Sequence, residues 1–208
     1  MEVVSVQRYL SEMKERHPEL TGISNDVNIA YVIMKQSYSS GGKVLACGNG
    51  GSAADADHIV GELMKGFRLV RPLEGEIKER FGFLSEWLQG ALPAVSLTQS
   101  TALNTAYAND VKPDMVFAQQ VYGYGRKNDV LLALTTSGNS KNILHAAEVA
   151  RRIGMKVIGF SGQDGGELKK IADICICVPE VETAFVQEKH IIVYHTICAM
   201  LEACFFEK

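Results

Sequence analysis

The sequence carries no excess of either charge: 21 Lys and Arg stand against 24 Asp and Glu, a net charge of −3. That balance excludes nucleic acid as a main partner. There is no charged tail and no low-complexity block. No uninterrupted apolar run approaches the roughly 20 residues that span a bilayer. The first residues, MEVVSVQRYLSEMKER, lack the apolar core of a signal peptide. These absences set the expectation of a soluble, cytoplasmic protein with no membrane partner. The five cysteines, Cys47, Cys175, Cys177, Cys198 and Cys204, form no CxxC pair. Cys175 and Cys177 flank Ile176 and face one side of a strand. Buried, reduced thiols are the expectation for all five.

What is present is apolar residue in quantity, 47% of 208 positions. That supports one good core and a single domain over 1–208. Residues 3–16 have a helical pattern. A second helix is expected from Ser24, with Asp26 in its first turn, to the glycines Gly41 and Gly42. Short apolar runs follow at 43–48, 91–97, 128–136, 156–162 and 174–179, each of strand type. Helical patterns lie between most of them, clearest in NSKNILHAAEVARRIG. Near-continuous apolar strands alternating with helices predict an α/β fold of three layers, a parallel sheet covered on both faces. ETAFVQEKHIIVYHTICAMLEACFF predicts one long helix, too apolar to lie alone on a surface. Residues 68–90 form a long connection holding the only tryptophan, Trp87, with helix expected around 76–89. Its stripe of Phe81, Phe83, Leu84, Trp87 and Leu88 is expected at the pocket mouth, at a subunit interface, or folded onto its own domain.

Two loops ask for an anion. GNGGSA follows the first strand and TTSGNS the third, each directly before a helix. Glycines let backbone amides approach an anion, and a helix N-terminus adds partial positive charge. Ser52, Thr135, Thr136, Ser137 and Ser140 add hydroxyls. In an open parallel sheet both loops lie at the carboxyl ends of strands, where ligands bind. One phosphorylated ligand held from two sides is the expectation. Gly48, Gly50 and Ala53 also satisfy the dinucleotide fingerprint. That reading needs a second strand and an acid about 20 residues on; FRLVRP, with Arg68 and Arg71, stands there instead, so no nucleotide cofactor is expected.

Below the first loop, His58 and Glu62 are four apart and share a helix face, with Asp55 nearly on it. The last helix carries Gln187, His190 and His195 in an apolar run. Gln187 and His195 are eight apart, about 80° around the axis, so they can converge on one ligand.

The combination of GNGGSAADADH with Glu62, then Asn109 and Asp110, then TTSGNS, then Q-E-x-H-x-x-x-x-H resembles one family. It is similar to the sedoheptulose 7-phosphate (phosphoheptose) isomerases of the sugar isomerase, or SIS, domain superfamily, over almost the whole chain. The resemblance implies a five-stranded sheet of flavodoxin-like, Rossmann-like order, in a homotetramer with sites between subunits and N-terminal helices 1–42 packed in the oligomer. It implies aldose–ketose isomerisation of a phosphosugar through a cis-enediol, with Glu62 as base and His195 as acid/base. Asn49, Gly50, Gly51, Ser52, Asn109, Asp110, Thr135, Thr136, Ser137, Ser140 and Gln187 would hold the substrate. His58, Glu62, Gln187 and His195 match the set that binds zinc in some members. His190 is not the catalytic histidine by this match. The family often has an arginine just after the glutamate; here MKGFR leaves Lys65 or Arg68 to substitute. Some similar proteins are instead sensors or assembly factors that bind a phosphosugar or a replication initiator.

Overall fold

The structure, a computed structural model, describes residues 2–207. Five strands, β1 (Val44–Cys47), β2 (Ala94–Ser96), β3 (Val130–Leu134), β4 (Lys156–Ser161) and β5 (Ile174–Cys177), form one parallel sheet in the order β2-β1-β3-β4-β5. Each lies inside a run expected to be a strand, and the order is the flavodoxin-like one.

Alternation along the strands divides the core in two. Val44, Ala46, Val130, Leu132, Leu134, Ile158, Phe160 and Ile176 face one side. Buried residues of α1 (Glu2–Arg16), α2 (Ser24–Ser39), α3 (Gly51–Met64) and α9 (Thr183–Phe206) cover them. Leu45, Cys47, Leu131, Ala133, Val157 and Cys175 face the other side. There α6 (Val116–Tyr124), α7 (Lys141–Arg152) and α8 (Leu168–Ile171) supply the cover. α5 (Thr101–Asp110) follows β2 and buries no residue of its own.

By length and composition α9 is apolar enough to cross a membrane. Here it is instead the central helix of the larger core, lying against α1, α2 and α3. Its C-terminal half, from Val193 to Ala203, is almost wholly buried. Within the chain, α1 runs along α9, and α2 packs on α9 and β5. All five cysteines are free thiols.

The connection 68–90 departs from a single amphipathic helix. α4 (Gly75–Phe81) stops at Gly82, whose φ of 54° breaks the helix, and a 3-10 turn over Gly82–Glu86 follows. The break scatters the expected apolar stripe. Phe83 is 76% and Trp87 82% exposed, with Phe81, Leu84 and Leu88 also outside the core. The version in which this stripe folds onto its own domain is therefore incorrect.

Candidate active site

β1 connects to β2 on one side of the sheet and β3 to β4 on the other, so the chain reverses direction between β1 and β3. Ligands of open α/β sheets bind at such a switch point. The two expected anion loops leave these strands side by side. Between them lies a cavity of about 310 Å³, lined by Asn49, Gly50, Gly51, Ser52, Leu134, Thr135, Thr136, Ser140, Thr183 and Gln187. Ser52 and Thr183 belong to the first turns of α3 and α9, and Ser140 is the N-cap residue of α7. Three helix N-termini thus open on one space, a field suited to a phosphate.

The loops are held from behind. Thr135 Oγ1 and Ser140 Oγ are 2.9 Å apart. The side-chain amides of Asn49 and Asn142 exchange two hydrogen bonds, at 2.9 and 3.0 Å, tying the first loop to α7. Gly138 has φ of 67°, and a Cβ there would stand 2.1 Å from Gly165 O, so only glycine suits the second loop. At Gly51 an added Cβ would stand 2.5 Å from Gln187 Nε2. The Gln187 amide therefore lies directly against the Gly51 backbone at the cavity.

Three residues expected at the substrate, Ser137 on the phosphate and Asn109 and Asp110 near it, are not among those lining this cavity. Ser137 is exposed, and its Oγ accepts from the Asn139 N–H at 3.2 Å. Asn109 and Asp110 end α5 at the surface, hydrogen-bonded to each other at 2.8 Å. Thr183, which no motif singled out, lines the cavity instead.

Gly51, Asp55, His58 and Glu62 step by four, three and four along α3 and share one face. α9 runs beside that face in the same direction: Gln187 lies at Gly51, and Tyr194 and His195 at His58. Along this seam a second polar cluster gathers. His58 Nε2 is 3.1 Å from Glu62 Oε1 and 3.4 Å from His195 Nε2. Ligand atoms of His58, Glu62 and His195 all lie within 4.8 Å of one another. The Tyr194 hydroxyl donates to Asp55 Oδ1 at 3.3 Å and stands 2.9 Å from His58 Nδ1, whose N–H it can accept. Lys65 Nζ is 3.5 Å from Glu62 Oε2. Arg68, the other substitute expected for the family arginine, pairs with Glu12 and stacks over Tyr9. Tyr194 was not legible as a site residue, because a lone tyrosine in an apolar helix reads as core.

The electrostatics of the seam follow burial. Desolvation lowers the His195 pKa, and the neighbouring His58 lowers it further. Burial raises the Asp55 carboxyl, against the Tyr194 hydrogen bond, which lowers it. Gln187 lies at the phosphate cavity, two helical turns from His195, about 12 Å along the axis. The two side chains do not converge on one point.

His190 is fully buried, with Nε2 3.3 Å from Ser161 O and Nδ1 unpartnered. Burial pushes its pKa down to about 4 from 6.5. The unfolded chain therefore takes up this proton first, so stability is full above about pH 6.5 and falls as pH drops toward about 4, by about 3 kcal/mol. Urea midpoints across that window should fall with pH, and His190→Leu should flatten the dependence. An equally steep dependence in the variant would refute the assignment.

The dinucleotide alternative fails on geometry. No strand follows α3 until β2, and Arg71 is fully buried in an ion pair with Glu202 at 2.8 Å. It offers nothing to a ribose or its phosphate.

Sheet order, paired anion loops and the His/Glu seam define a class, and the family model described as "SIS domain" matches residues 8–82 and 75–162. Among curated relatives, the phosphoheptose isomerase of Akkermansia muciniphila is 38% identical, over 88% of this chain and 87% of its own length. Two solved phosphoheptose isomerases superpose over nearly full length. The Neisseria gonorrhoeae structure has a TM-score of 0.73 at 33% identity, covering 96% of this chain and 94% of its own. The Francisella tularensis structure has 0.74 at 30% identity, covering 97% and 98%. The chain belongs to the phosphoheptose isomerase family of SIS-domain proteins, and it is a phosphosugar isomerase.

Proposed function

We propose that the substrate is a heptose phosphate, interconverted between sedoheptulose 7-phosphate and the aldose heptose 7-phosphate. One observation carries this. The phosphate cavity and the His58, Glu62 and His195 cluster share one α3–α9 seam, with His58 about 10 Å along the axis from Gly51. A triose phosphate is too short to join them; a heptose phosphate can lie along the seam with its phosphate at one end and C1 and C2 at the other. Anchoring the far end converts binding energy into alignment of the reacting carbons.

In this reading Glu62 moves the proton between C1 and C2 through a cis-enediol. Its carboxylate is nearly buried and is aimed by His58 and Lys65. His195 exchanges protons with the sugar oxygens, and desolvation lowers its pKa, favouring the neutral imidazole. Two imidazoles and a carboxylate within 4.8 Å fit a catalytic zinc with three protein ligands. His58, Glu62 and His195 would hold it; Gln187 would have to swing away from Gly51 to join them. Zinc bound there would supply Lewis-acid polarisation of the sugar carbonyl.

A homotetramer with sites between subunits belongs to the same proposal. The exposed apolar side chains of 70–88, among them Val70, Phe83 and Trp87, support it, since such a surface calls for cover. The five free thiols support a reducing, cytoplasmic setting.

The test is an isomerase assay over ketose and aldose phosphates of three to seven carbons, with and without added zinc. Turnover should be greatest on the seven-carbon pair. Zinc should stimulate it, and His58→Ala should abolish the stimulation. Preference for a shorter sugar would overturn the substrate, and binding without turnover on any sugar would point to a phosphosugar sensor.

A further inference from the structure

α3 ends without the usual glycine. Lys65, at its C-cap, is extended, with φ −138° and ψ 174°, so the last carbonyls lack the backbone partners of a left-handed cap. Arg71 supplies donors from six residues on. Its Nη2 donates to Glu62 O at 3.0 Å and its Nη1 to Leu63 O at 2.8 Å. Its Nε donates to Glu202 Oε1 at 2.8 Å. The Glu202 carboxylate also accepts the backbone N–H groups of Phe67, Arg68 and Leu69 at 2.7, 2.7 and 3.0 Å. Both side chains are fully buried.

Stability alone is a weak reason for an ion pair at this depth, because well-packed apolar residues often serve equally. Its particular contribution is placement. One end of the pair holds the carbonyl of Glu62 itself. The other end shapes the 67–69 turn, and the Phe67 ring lies 5.2 Å from the His195 ring. Lys65, between them, faces Glu62. A single buried unit therefore controls both walls of the seam from behind, without entering it.

We propose that Arg71 and Glu202 are positioning residues of the isomerase, holding Glu62 and His195 in their reactive alignment. The proposal rests on the reading of Glu62 as base. Arg71→Lys keeps a charge opposite Glu202, but a single ammonium cannot span two carbonyls and the carboxylate as the planar fork does. It should lower kcat about 10- to 100-fold, the scale of a roughly 1 Å misplacement, and leave KM within about threefold because the phosphate cavity is untouched. The variant Glu202→Gln keeps the shape and an acceptor oxygen for the 67–69 N–H groups but loses the charge that fixes Arg71, so it can preserve folding. It should show the same loss of kcat at unchanged KM.

Either variant, folded by circular dichroism and with wild-type kcat, would overturn the proposal. So would a kcat that falls only in step with the folded fraction. Glu62→Gln, measured in parallel, separates the two readings. If that variant is fully active, the assignment of the base fails; if it is inactive while Arg71→Lys turns over normally, only the positioning role fails.

Discussion

Glu62→Gln is expected to lower kcat by about 10²- to 10⁴-fold, the usual contribution of a positioned general base, with KM changed only slightly. The amide is isosteric and can still hydrogen-bond to His58, which now stands 3.1 Å from Glu62 Oε1. It cannot take a proton from carbon. In the proposed reading the substrate's phosphate is held about three helical turns from Glu62 by the loops after β1 and β3, so its affinity should persist. Steady-state kinetics with calorimetric titration of the sugar phosphate would check both halves. Full activity would remove Glu62 from the mechanism. A raised KM at unchanged kcat would make it a binding residue only.

The second large effect is expected at the anchoring end. Ser140 occupies the N-cap position of α7, yet its side chain makes no capping bond; its hydroxyl meets Thr135 instead. Ser52, in the first turn of α3, is buried beneath the cavity, and α3 too has no side-chain cap. Neither hydroxyl is engaged in holding a helix end, so both are available to an anion. Hydrogen bonds to a charged partner contribute about 1.5–3 kcal/mol each. Ser52→Ala and Ser140→Ala should therefore each reduce kcat/KM by about 10- to 150-fold. The melting temperature should move little, because no cap is lost. The two hydroxyls would share one phosphate, so the loss in the double variant should differ from the product of the single effects. Wild-type kcat/KM with a lowered melting temperature would show them to be structural.

The anion loops were legible because their signal is local. Glycines and hydroxyls between an apolar strand and a helix describe a complete physical device within a few residues. His58 and Glu62 were legible for the same reason, since one helical turn is a fixed distance. The angle between Gln187 and His195 around α9 favours their convergence, but rise along the axis sets Gln187 at Gly51 and His195 at His58. Eight residues are two turns, so the pair serves opposite ends of the seam. Asn109 and Asp110 come to the site by the family resemblance alone, whereas Ser137 is also a loop hydroxyl. In this chain Asn109 and Asp110 are exposed at the end of α5, and Ser137 is exposed beside Thr136. The stripe of 81–88 looked continuous because the left-handed turn at Gly82 leaves no mark in an apolar pattern.

By itself the sequence determined the sheet, its parallel sense and the phosphate character of the site, because strand and helix periods and glycine-rich turns act over short range. Tertiary structure alone decided what lies behind and between these parts. The parallel alignment of α3 and α9 sets Tyr194 against His58 and Asp55. The Arg71–Glu202 pair joins positions 131 residues apart. No local pattern marks either, since burial turns a surface-type arginine and glutamate into an internal clamp only when the distant helix arrives to complete it.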